Sequence, residues 1–211
     1  MHMDTRQLTG KLFVISGPSG AGKGTIIKRL MTDSDPDRIV LSTSMTTRAP
    51  REGEVDGVSY YFVSMEEFQA LVEEGGFLEH AQVYQNCYGT PKAPVIENLA
   101  RGIDVILEID IQGALAVKES YPEGIFIFIL PPSMTELRKR ITGRGTESPE
   151  IIDMRLSKVM QEVAYIEEYD YCVVNGEVEE AASRVRSIMT AEHSRVTENV
   201  HEIIDRYKEE I

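Results

Sequence analysis

Four short runs along the chain are rich in apolar, β-branched or aromatic residues: "LFVI" at 12 to 15, "DVILEID" at 104 to 110, "IFIFIL" at 125 to 130 and "YCVV" at 171 to 174. Each has the length of a strand and enough apolar character to be covered on both faces. Longer stretches with a 3.6-residue apolar period separate them, which predicts strand–helix units on a mainly parallel sheet. Helix starts are signalled by "SMEE" at 64 to 67 and "SMTE" at 133 to 136, which fit the capping box, and by Pro149, whose missing N–H does no harm at a first helical position. From Glu177 to the C-terminus the pattern is helical throughout, with Val185, Ile188, Met189, Val196, Val200, Ile203 and Ile204 on one stripe that predicts a packing helix.

Between Ile39 and Gly89 the pattern changes to short alternating segments rich in Ser, Thr and Gly. The stretch "FLEHAQVYQNCYG" reads as a strand pair and "MEEFQALVEE" as one helix, so this region is expected to be a small, largely β insertion in the parallel unit. The longest apolar run has six residues, far short of the roughly 18 to 20 that a bilayer needs. With no apolar leader in "MHMDTRQLTGK" and only two cysteines, Cys87 and Cys172, the expected setting is a reducing cytoplasm. A net charge of −13, from 22 basic and 35 acidic residues, argues against nucleic acid as a partner. Any anionic ligand must therefore be met by a local concentration of basic residues.

The stretch "GPSGAGKGT", Gly17 to Thr25, lies between the first strand and the helix "IIKRLM". A loop leaving a strand and entering a helix offers unpaired N–H groups at the positive end of the helix dipole. Gly17, Pro18, Ser19, Gly20, Ala21, Gly22, Lys23, Gly24 and Thr25 are therefore candidates for binding nucleotide phosphates, with the glycines allowing close approach and Lys23 supplying a mobile cation. The usual pattern has a Ser or Thr where Gly24 stands. Either the Thr25 hydroxyl or water then completes the shell of a magnesium ion.

The segment "STSMTTRAPREGEVDGVSYYFVS" together with this loop resembles guanylate kinases of the bacterial type, as do "FLEHAQVYQNCYGTP", "LEIDIQGA", "ITGRGTES" and "YDYCVVN". The resemblance covers about Leu12 to Asn175. It implies an α/β fold: a P-loop NTPase-like parallel sheet flanked by helices, built from 10–38, 91–137 and 159–211, with a mixed α/β GMP-binding insertion at 39–90 and a helical lid at 138–158. It also implies transfer of a phosphoryl group from ATP to GMP or dGMP with Mg2+ as cofactor. Arg48 and Arg51 can grip a monophosphate with forked hydrogen bonds that Lys could not copy. By the resemblance, Tyr60 and Tyr88 donate to the same phosphate, and Glu79, Ser44, Thr90 and Asp110 form the base pocket, with the Glu79 carboxylate accepting the two adjacent donors of guanine.

Catalytic roles are expected for Lys23, Arg48, Arg140, Arg144 and Arg155, the last three on the lid. Asn175 is a candidate contact beside adenine, although a turn former before Gly176 explains it equally well. Glu108 and Asp110, two apart at the end of a strand, are candidates with Thr25 for holding magnesium, and spacing does not choose between them. The acceptor is itself a phosphate with a second pKa near 6, so no protein base is required, and the four histidines receive no catalytic role, His80 at most lining the acceptor pocket. The competing readings are a kinase of another nucleoside monophosphate and a kinase-like module that binds phosphopeptides without transferring phosphate. The second would not need Lys23 or the lid arginines. The chain is expected to act as a monomer or a homodimer.

Overall fold

The structure, a computed structural model, describes residues 10–32, 34–35, 38–142, 149–196 and 200–210. In chain order the elements are β1 (Leu12–Ser16), α1 (Lys23–Thr32), β2 (Ile39–Leu41), β3 (Met45–Thr46), β4 (Tyr61–Phe62), α2 (Met65–Glu73), β5 (Phe77–Val83), β6 (Asn86–Pro91) and α3 (Lys92–Ala100). They continue with β7 (Asp104–Glu108), α4 (Ile111–Ser120), β8 (Ile125–Leu130), α5 (Met134–Thr142), α6 (Pro149–Val163), a 3-10 turn (Ala164–Glu168), β9 (Tyr171–Val174), α7 (Val178–His193) and α8 (Val200–Glu209).

The main sheet is parallel, in the order β2-β7-β1-β8-β9. Alternation along the central strand divides the core in two. Phe13 and Ile15 face Ile26, Ile27 and Leu30 of α1 and Ala181, Val185 and Met189 of α7, whereas Leu12 and Val14 face Val95 and Leu99 of α3 and Ala114 and Val117 of α4. These side chains are essentially removed from water, each contributing about 1.5 to 3 kcal/mol for the larger ones. The Arg29 Nε donates to both carboxylate oxygens of Glu179, at 2.8 and 2.7 Å, tying α1 to α7. The phosphate-loop strand is thus the most enclosed strand of the sheet, and the loop leaves it at the carboxyl edge, where ligands of open α/β sheets bind.

A second sheet, ordered β4-β3-β6-β5, is built from residues of the expected insertion. β5 and β6 form an antiparallel pair, β3 joins β6 antiparallel, and β4 joins β3 parallel. β2, where the 39–90 segment begins, pairs instead with β7 in the main sheet. Both halves of the capping box at Ser64 and Glu67 are formed. At α5 the Ser133 hydroxyl accepts the Glu136 N–H at 3.1 Å, while the Glu136 carboxylate accepts from Arg140 at 3.2 Å.

Two sequence expectations need correction. The run "DVILEID" is strand only to Glu108; Asp110 is the N-cap of α4, its carboxylate accepting the Gly113 N–H at 2.8 Å. The C-terminal segment is not one helix. α7 ends at His193, whose Nε2 lies 2.8 Å from a carboxylate oxygen of Asp104 at the start of β7. The Ser194 N–H turns back to the Ala191 carbonyl at 2.9 Å, and Val196 is 80% exposed. Ile204 of the same stripe is exposed too, so among the described residues the stripe ceases to be buried beyond α7.

Candidate active site

The wall around the phosphate loop is made largely of main chain. Gly17, Gly20 and Gly22 hold φ of 142°, 85° and 91°, a region that disfavours any side chain. Space is also short, because a Cβ on Gly22 would lie 2.3 Å from the Asn175 Nδ2. That amide donates to the Ala21 carbonyl at 2.8 Å, the Asn175 N–H donates to Leu130 at 2.7 Å, and Arg140 donates to the Asn175 carbonyl at 3.1 Å. Asn175 is buried, so the end of β9 is stitched to the phosphate loop on one side and to α5 on the other. Its Oδ1 has no hydrogen-bond partner.

Lys23 donates to the Gly17 carbonyl at 2.6 Å. Burial pushes its ammonium pKa below the ordinary lysine value, against the opposing pull of Glu108, Glu162 and Asp110. Glu108 lies directly beneath Gly24: a Cβ there would meet its Oε1 at 3.2 Å. The departure from the usual Ser or Thr therefore leaves room for a carboxylate. Burial raises the Glu108 pKa, with Lys23 opposing. Gly22, Lys23, Thr25, Glu108, Arg140 and Asn175 line one cavity of about 680 Å³. Among the described residues no cluster of three or more His, Cys, Asp or Glu could hold a metal.

The arm that carries the second sheet presents side chains instead. Arg48 donates from Nη1 and Nη2 to the two oxygens of Glu54, each at 2.9 Å, and the Arg51 N–H donates to the same carboxylate at 2.7 Å. These bonds hold the Glu54 carboxyl below its ordinary pKa and raise that of Arg48. The Arg48 guanidinium lies 5.5 Å from the centre of the Tyr60 ring and 5.9 Å from that of Phe62, and Tyr60 meets Tyr88 edge-on at 6.1 Å. Burial raises the Tyr60 pKa. The Arg51 side chain is exposed. Ser44 flanks β3, its carbonyl accepting the Tyr61 N–H at 2.9 Å.

Deeper in the arm, β5 and β6 place Glu79 opposite Thr90, whose hydroxyl donates to the Glu79 Oε1 at 2.7 Å. Burial is the main cause of a raised Glu79 pKa, and Asp110 adds to it. Glu79 and Asp110 converge on Gly113, where a Cβ would lie 3.2 Å from the Glu79 Oε2 and 3.4 Å from the Asp110 Oδ1. Asp110 also acts electrostatically on Lys23, and Glu108 on Tyr60, so the arm faces the loop. Arg144 lies outside the described residues, as does the side chain of Arg155. Sequence reasoning missed three roles: Glu54 as the partner of Arg48, Asn175 as the stitch on the loop, and Gly113 between two carboxylates. Glu54 had a signal, since it lies in the same motif six residues after Arg48.

Comparison with protein families agrees with this geometry: the guanylate kinase family model matches residues 9–192. The chain belongs to the guanylate kinase family. As a family member it is a phosphotransferase with a nucleotide-binding P-loop fold. Among its relatives, a guanylate kinase of Clostridioides difficile (strain 630) is 51% identical over 202 residues, covering 96% of this chain and 98% of the relative. One from Caldanaerobacter subterraneus subsp. tengcongensis is 57% identical over 190 residues, with 90% and 91% covered. The crystal structure of guanylate kinase from Anaplasma phagocytophilum superposes with a TM-score of 0.73 at 37% identity, covering 93% of this chain and 94% of that one. Among the described residues of this kinase no helix is long and apolar enough to cross a membrane.

Proposed function

We propose that the kinase transfers the terminal phosphoryl group of ATP to GMP, and to dGMP as a second acceptor, by in-line displacement without a protein base. The observation that carries the acceptor assignment is the Glu79 carboxylate, held by Thr90 beside Asp110 on an arm that faces the phosphate loop. Ionised, it accepts the ring N1–H and the exocyclic amine of guanine together. A purine that lacks them leaves a half-buried carboxylate unpaired and is rejected by up to about 10⁴-fold. Ser44, Thr90 and Asp110 complete the base pocket.

Arg48, Arg51, Tyr60 and Tyr88 hold the acceptor phosphate, which is mostly dianionic at neutral pH and already nucleophilic. The loop N–H groups, Lys23 and Arg140 hold the donor phosphates, and Arg144 and Arg155 close on them as a lid. The remaining task is to align two anions and to offset the charge between them. Carboxylates beside the loop suit magnesium, which keeps several waters and takes most of its other oxygens from substrate. Thr25, Glu108 or Asp110 would hold Mg2+, chiefly through water, and the ion when bound would offset phosphate charge. The unpaired thiols of Cys87 and Cys172 support a cytoplasmic setting.

A coupled assay of ADP release with GMP, dGMP, AMP, UMP and dTMP tests the reading. GMP and dGMP are expected to exceed the others by at least about 10³ in kcat/KM. Activity with AMP above that with GMP overturns the acceptor assignment, and no transfer to any nucleotide favours a binding module.

A further inference from the structure

Gly113 is a helical residue that the backbone does not require to be glycine. It is buried in the first turn of α4, it has no positive φ, and its N–H is already used to hold the Asp110 carboxylate at 2.8 Å. Alanine would fit this conformation at a lower entropic cost. What alanine would change is the space in front of two carboxylates, since its methyl would lie 3.2 Å from the Glu79 Oε2 and 3.4 Å from the Asp110 Oδ1. Glu79 cannot retreat freely, because its other oxygen is bound by Thr90 at 2.7 Å.

We propose that Gly113 is a specificity-determining position, whose missing side chain keeps the second oxygen of Glu79 open to the base of the acceptor nucleotide. The inference rests on the reading that Glu79 accepts the two donors of guanine. Thr90 sets one end of the carboxylate, and the gap at Gly113 sets the other. A methyl in that gap shifts the Oε2 by a few tenths of an ångström and covers it. A hydroxymethyl goes further, because its O–H donates to one of the two carboxylates and competes with the exocyclic amine. Gly113 is therefore a positioning residue: it acts on the base through Glu79.

The test compares full-length Gly113→Ala, Gly113→Ser and Glu79→Gln enzymes with GMP and with inosine monophosphate, which keeps the ring N1–H but lacks the exocyclic amine. In Gly113→Ser the KM for GMP is expected to rise about tenfold and the GMP-to-IMP ratio of kcat/KM to fall about tenfold, with the KM for ATP unchanged. Gly113→Ala should lie between this and wild type. The ratio is taken on a single preparation, so it is independent of the fraction folded, and the alanine variant decides the matter if the serine variant does not fold. Both Gly113 variants keeping the wild-type ratio, while Glu79→Gln loses it, would overturn the proposal. Glu79→Gln keeping the ratio as well would instead remove the base-recognition reading on which the proposal stands.

Discussion

On the proposed reading the phosphate loop and the acceptor arm face the same problem, an anionic ligand on a chain of net charge −13, with different materials. The loop presents main-chain N–H groups from glycines of positive φ, leaves the most enclosed strand of the core and is stitched by Asn175. The arm rests on two strands of two residues and a longer hairpin, and its proposed ligand groups are side chains aligned by one another: Arg48 by Glu54, Glu79 by Thr90. Shape in the loop is a property of the fold; shape in the arm is a property of local pairs. Damage to the loop should therefore reach the rate of transfer, and damage to the arm should reach affinity and selectivity while the fold stands.

The largest effect expected from this division is that of Lys23→Met, a fall in kcat of about 10³, or roughly 4 kcal/mol of transition-state stabilisation, with the KM for GMP little changed. Steady-state kinetics at saturating ATP checks it; a raised KM with kcat intact would erase the division. Arg48→Lys comes next. It keeps the charge but not the fork, so the KM for GMP should rise about 10²-fold while the KM for ATP and the thermal midpoint hold.

The smallest effect concerns stability. The folded Glu79 carboxyl has a raised pKa, so its protonated form favours the fold: that contribution is complete below its ordinary value of 4.5 and is lost as pH rises through the folded value. Above the folded value the ionised group is a cost. Glu79→Gln should thus melt roughly 1 to 3 °C higher than wild type at pH 7, and calorimetry should show the gap closing as pH falls towards 4.5. In the wild type the KM for GMP should rise over the same acid window, since the protonated carboxyl no longer accepts two donors.

The parallel sheet, the phosphate loop and the strand pair of the arm were legible because each depends on local pattern: apolar runs, a glycine spacing, a period of two. Membership of strands in sheets was not. Ile39–Leu41 has the look of the segment that follows it but pairs with β7, a choice made by tertiary contact. The continuous stripe after Glu177 misled for a related reason, since periodicity records which face could pack and not whether a partner is there, as the exposure of Val196 shows. Asn175 and Gly113 were illegible as neighbours of the loop and of Glu79. Each contact joins residues far apart in sequence, between Asn175 and Ala21 and between Gly113 and Glu79.

The fork between Arg48 and Glu54 has a kinetic consequence on the proposed reading. One N–H on each Nη of this guanidinium is held by the chain's own carboxylate and another by the Ala49 carbonyl, so a phosphate that takes the same fork must displace Glu54. Capture then gains the difference between two similar bonds, and departure is helped by the carboxylate returning. The arm gives up tight binding for quick release, so the product GDP can leave about as readily as GMP arrived.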